Sequence, residues 1–136
     1  MRIPKFEAQT EWTIPTEFPD LRQVEEIAID LETKDPDLKE KGSGSVIGNG
    51  DVIGIAVATN GYKGYFPIAH EGGGNMDRKK VLEWLKDILA APSTKVFHNA
   101  MYDVCWLRQL GFKINGDIVC TMIAAAITDE NRFRYD

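Results

Sequence analysis

The sequence predicts an α/β fold: a mixed sheet with three antiparallel strands first, further strands joined through helical crossovers, and helices packed on the sheet. Three observations predict it. Two runs rich in β-branched and aromatic residues, 51–59 and 62–68, flank Asn60-Gly61, a pair suited to the backbone angles of a tight hairpin. An apolar run ending Ile27-Ala28-Ile29-Asp30-Leu31 precedes them and has the character of a central strand. Beyond residue 76 the apolar period lengthens to that of a helix, and helix and strand signals then alternate, as crossover connections require.

The elements follow in order. Residues 1–22 carry Pro4, Pro15 and Pro19 among scattered aromatics and read as an irregular N-terminal arm; residues 23–136 read as one domain. Gln23 to Leu31 is the first strand. Thr33 to Asn49 holds Asp35-Pro36-Asp37, several lysines and Gly42, Gly44 and Gly48, and reads as a long loop. Its glycine spacing is not that of a dinucleotide fingerprint, so these are loop glycines. The hairpin strands 51–59 and 62–68 come next, then a loop over 70–76. Val81, Leu82, Leu85, Ile88 and Leu89 recur at helical spacing from Asp77 to Ala90, and Pro92 stops that helix. Lys95 to His98 is a short strand. A second helix runs from about Asn99 to Leu110, with Gly111 placed as its C-terminal cap, and a third, alanine-rich helix runs from about Cys120 to Thr128.

Composition narrows the function classes. A chain of 136 residues, 43% hydrophobic and 27% charged, suits one globular domain. Sixteen basic against 21 acidic residues give a formal charge of −5, which argues against holding nucleic acid by bulk positive charge. An acidic cluster neutralised by bound metal escapes that argument. Cys105 and Cys120 form no CxxC, so neither a disulfide framework nor a zinc knuckle is expected, and a reducing cytoplasm is the default. No apolar segment has the length or setting of a signal peptide or membrane span, so a cytoplasmic protein without membrane partners is expected.

Two acidic elements carry chemistry. Asp30 and Glu32 lie two apart at the end of the first strand, so their side chains share a face. Carboxylates that close repel, and one stays protonated unless a cation settles between them. By itself the pair is weak, because the 21 acids of the chain produce about one D-x-E by chance. The second element is His98-Asn99-Ala100-Met101-Tyr102-Asp103. Here Asn99 stands at a helix cap position, and Asp103 falls in the sector of the helix that Val104 and Leu107 turn toward the sheet. A lone carboxylate on that sector is costly to bury unless something charged meets it. A capping Asn and a helix-start acid favoured by the dipole are the plain alternative. Hard carboxylates on rigid elements are what two-metal phosphoryl chemistry uses, with magnesium or manganese as the ion.

In these residues the chain resembles the 3′–5′ proofreading exonuclease domain of family A DNA polymerases, within the DEDD exonuclease superfamily of four-acid nucleases. Asp30 and Glu32, followed by Thr33, match the first motif; Asn99, Tyr102 and Asp103 match the second, with His98 before the Asn. Pro67-Ile68-Ala69-His70 is also typical, and the likeness runs from about residue 23 to the end. The resemblance implies a ribonuclease H-like fold and removal of nucleotides from the 3′ end of single-stranded DNA in replication, with two Mg2+ or Mn2+ ions and a polymerase domain in the parent chain. It makes Asp30, Glu32 and Asp103 the catalytic metal ligands. Glu32 would also touch the terminal 3′-hydroxyl, with Asn99, Thr33 and Tyr102 along the bound strand.

The departures are specific. The third motif, Tyr or His followed after a few residues by Asp, has no place after Tyr135, and Asp136 follows too closely to fill it. The expectation is a domain incomplete at its C-terminus, with three of four carboxylates and strongly reduced activity by itself. Where relatives often open a helix with Asp-Thr, this chain has Cys120-Thr121. His70, His98, Trp84, Trp106 and Phe97 read as structural. Lys34, Lys39 and Lys41 stand near the acidic strand end, where phosphates would approach. Three function classes follow: a proofreading DNA exonuclease, an RNA-trimming exonuclease of the same chemistry, and a catalytically silent nucleic-acid-binding or structural domain.

Overall fold

The computed structural model describes residues 11–131. A five-stranded mixed sheet runs in the order β3-β2-β1-β4-β5. Its strands are β1 (Glu26–Lys34), β2 (Asp51–Thr59), β3 (Tyr62–Pro67), β4 (Thr94–Phe97) and β5 (Ile118–Cys120). Pairing of β1 with β2 and of β2 with β3 is antiparallel, whereas β1–β4 and β4–β5 are parallel. The fold is α/β and ribonuclease H-like, with helices packed on a mixed sheet. Gly61 turns the hairpin at φ 86°, an angle that glycine adopts without a Cβ clash.

The helices are α1 (Leu38–Lys41), α2 (Gly44–Ile47), α3 (Arg78–Ala90), α4 (Ala100–Gln109) and α5 (Thr121–Thr128). Asp77 caps α3 by accepting the Lys80 N–H. Gly111 follows α4 at φ 87°, and its N–H and that of Phe112 satisfy carbonyls of the last turn.

Boundaries shift from the sequence reading by a residue at β3 and β4, and β1 starts at Glu26 rather than Gln23; two departures are larger. The first strand runs on to Lys34, because Thr33 and Lys34 pair with Val52 and Asp51 after a register shift between Glu32 and Thr33. The stretch 33–49 is not wholly loop: it holds two single-turn helices. They are fixed by Asp35, which accepts the Gly44 N–H, and by Asp37, which accepts from Asn49.

Alternation along β1 sorts its side chains. Ile27, Ile29 and Leu31 turn to the face where Ile55, Val57 and Phe66 meet α3 and α4 in one core. Ala28, Asp30 and Glu32 turn to the other face, which is exposed. Trp84 and Trp106 belong to the packed side, Trp106 being 1% exposed and Trp84 donating its indole N–H to Pro19 O.

One core residue is a lysine. Lys95, opposite Ile27 in the register, is fully buried, and its Nζ donates to Ala91 O at the end of α3 and to Asn115 O. An ammonium at a helix C-terminus is favourable, and here it also ties α3 to the loop before β5. Lys95→Met keeps the apolar stem and leaves two carbonyls without their donor. We expect a loss of ~1–3 kcal/mol in urea unfolding, the usual cost of orphaned buried polar groups.

Candidate functional site

The site forms where β4 stops and β1 continues. The last β1–β4 pair is Ala28 with Val96, so the β1 edge from Asp30 onward has no strand beside it. The first turn of α4 stands beside the strand end, with the Tyr102 hydroxyl 2.8 Å from that of Thr33. Asp103, in the first turn, is 3% exposed, and the Leu31 backbone N–H is close enough to pull its carboxyl downward in pKa. One of its oxygens, Oδ2, is buried without a hydrogen-bond partner.

Leu31 is flanked by Asp30 and Glu32, so the three acids named from the sequence meet at one strand end. Burial, followed by the charge of Asp30 and then that of Glu32, pushes the Asp103 carboxyl up to about 7 against the pull of the Leu31 N–H. Asp30 and Glu32 are exposed. Among the described residues, no three His, Cys, Asp or Glu side chains are gathered into a ready-made cation cage. The donor chemistry nonetheless fits a hard divalent ion: an orphaned buried carboxylate oxygen stands beside like charges whose repulsion a cation would relieve.

The other three sequence candidates divide. Thr33 and Tyr102 come together, their hydroxyls 2.8 Å apart, and Tyr102 also donates to Asp35 at 2.9 Å. A helical wheel directs Tyr102 away from Asp103, yet the length of the phenol carries its hydroxyl back to the strand end. These bonds pin α4 to the end of β1 and to the segment after it, beside Asp103. Asn99 is exposed at the N-cap of α4 with φ 64°, and its side chain does not cap the helix. Asn tolerates this left-handed conformation better than most residues, and its amide is left outside the capping role.

The neighbouring charges are mostly engaged. Lys34 pairs with Glu71 and Lys41 with Asp37, while Lys39 is exposed. Both histidines take structural bonds, His98 to Thr121 and His70 to Tyr65. Sequence reasoning passed over Asp35 and Tyr65. Asp35 lay inside a turn-like Asp-Pro-Asp, and Tyr65 inside a strand, so neither carried a local signal.

The 3′–5′ exonuclease family model of A-type DNA polymerases matches residues 10–136. Among curated proteins, the chain is 40% identical over 81 residues to a DNA-directed DNA polymerase of Pseudomonas phage M6, covering 57% of this chain and 12% of that one. It is 30% identical over 120 residues to the DNA polymerase DpoZ of Salmonella phage PMBT28, covering 87% and 17%. The chain therefore spans less than a fifth of the length of these relatives. Among solved structures it is similar to NrnC of Brucella melitensis with bound Mg2+, at TM-score 0.58 and 21% identity over 86% of this chain and 51% of that one. It also matches the POL domain of Pol1 from M. smegmatis in complex with primer-template DNA, at TM-score 0.55 and 16% identity over 85% and 18%. At these identities the structural likenesses establish the fold alone.

Proposed function

The chain belongs to the 3′–5′ exonuclease family of A-type DNA polymerases, and on that premise we propose that it is the proofreading module of a longer polymerase, hydrolysing the 3′-terminal phosphodiester of single-stranded DNA. The observation that carries the reading is Asp103, a buried carboxylate with an unpartnered oxygen beside Asp30 and Glu32. Residues 23–136 would be the catalytic unit, preceded by an arm over 1–22, of which 1–10 lie outside the described residues, as do 132–136. The polymerase activity belongs to other parts of the parent protein.

Asp30, Glu32 and Asp103 would hold Mg2+ or Mn2+, two ions in the complete site. Bound there, the ions supply activation of water and neutralisation of the charge that develops on the phosphate. The remaining work falls to the chain itself. Asp103 is buried on its helix, which keeps one donor fixed while Asp30 and Glu32 face solvent and an incoming strand end. Glu32 would accept from the terminal 3′-hydroxyl. Thr33 and Tyr102, bonded to each other, form the wall along which the last nucleotides lie, and the Asn99 amide extends that wall.

RNA trimming is the second reading, since the same acids and ions would serve either nucleic acid. The discriminating experiment digests 5′-labelled DNA and RNA oligonucleotides of one sequence in Mn2+. A ladder shortening from the 3′ end, faster on DNA and slow in absolute rate, is expected. Faster trimming of RNA would transfer the assignment to the second reading, and internal cuts or release from the 5′ end would overturn both.

A further inference from the structure

A second tyrosine stands on the opposite flank of the acids. Gly54 of β2 is the register partner of Glu32. The ring of Tyr65, from β3, lies over this glycine so closely that a Cβ there would be 1.9 Å from the Tyr65 hydroxyl oxygen. Tyr65 is thus laid across the middle of the exposed sheet face, toward Glu32, in space that only a glycine leaves open.

The hydroxyl is held from behind. His70 Nε2 and the Tyr65 hydroxyl are hydrogen-bonded, and the two rings meet edge to face at 5.8 Å. The His70 backbone is clamped in turn by Asn75, whose Oδ1 accepts the His70 N–H at 2.7 Å and whose Nδ2 donates to His70 O at 2.9 Å. Lys34, two residues beyond Glu32, pairs with Glu71, so the same loop is also tied to the end of β1. Burial, followed by the nearby Glu32 charge, raises the Tyr65 phenol above its ordinary pKa, which agrees with the closeness of the two groups.

We propose that Tyr65 is a positioning residue for Glu32, oriented by His70, and that the two act together as an outer support for the metal-holding acids. With its hydrogen on Nε2, His70 donates to the Tyr65 oxygen and leaves the phenol hydrogen free to meet the carboxylate, directly or through one water. Glu32 is exposed on the sheet face, whereas Asp103 is buried. Supports of this kind orient ligands and tune their affinity for the ion. The inference rests on the metal-dependent reading above.

Calorimetric titration of Mn2+ into the 136-residue chain separates the two ideas, with thermal melts of each variant alongside. Tyr65→Phe keeps the ring and removes the hydroxyl; we expect Mn2+ affinity to fall about 10-fold, with the melting temperature nearly unchanged. His70→Gln, which leaves Tyr65 intact, should weaken Mn2+ in the same direction and also serves if Tyr65→Phe folds poorly. Unchanged affinity in both variants overturns this proposal alone. If the unsubstituted chain binds no Mn2+, or if Asp30→Ala binds it equally well, the metal reading falls and this one with it.

Discussion

Asp30→Ala should abolish the 3′ ladder, a loss of at least ~10³-fold, since removing even one fixed donor from a transition-state contact costs 10²–10³. Asp30 is the acid whose charge acts most strongly on Asp103, and it projects from the exposed face of β1. Its removal takes away a donor to the ion without opening a cavity, so circular dichroism and the melting temperature should stay close to those of the parent chain. Single-turnover digestion of a 5′-labelled oligonucleotide in Mn2+ is the check, paired with binding of the same oligonucleotide in the absence of metal. Binding retained while cleavage is lost identifies a nuclease. Cleavage that survives the substitution removes the two-metal reading altogether.

Asp103→Asn should make the metal-free chain more stable at pH 8 while destroying its response to metal. The sign follows from the carboxyl's position at about 7, above the ordinary aspartate value of 3.8. The folded state keeps a proton that the unfolded chain gives up, so stability falls as pH rises from about 4 to about 7 and stays low above that. Asparagine retains an acceptor for the Leu31 N–H and never ionises. The gain at pH 8 should be ~1–3 kcal/mol, the scale of an uncompensated buried polar group. Melting curves from pH 4 to 8 check it: the variant should lose the fall across that window, and Mn2+ should raise the melting temperature of the parent at pH 8 but not of the variant. A variant less stable than the parent at pH 8 would mean that the carboxylate is already compensated.

Much of this was legible along the chain. Strand β2 has the bounds that its β-rich run indicates, and the wheel placed Asp103 on the buried side of α4, where it lies. The illegible parts have physical causes. A single helical turn has almost no intrinsic stability, so α1 and α2 depend on Asp35 and Asp37 side chains that reach across the loop. The extension of β1 passes through a bulge, which no alternation pattern reports. Tyr102 meets Thr33 and Asp35 across 69 and 67 residues, and Tyr65 of β3 lies over Gly54 of β2, the register partner of Glu32. A wheel or a pleat gives the direction of a Cβ; it does not give the reach of a phenol.

The mixed pairing of β1 also orders the molecule in time. The β2–β3 turn closes after two residues, a local event on the microsecond scale (~1–10 μs). The parallel partner of β1 is 68 residues away at Glu26–Thr94, so that pairing must first overcome the loss of chain freedom in bringing distant segments together. Asp30 and Asp103 sit on the two sides of this late closure. A folding intermediate with its antiparallel half formed would therefore have Asp30 and Glu32 in place on one side and Asp103 still at large, so that the acids come into opposition in the last step, when most of the surface that can compensate their repulsion is already buried.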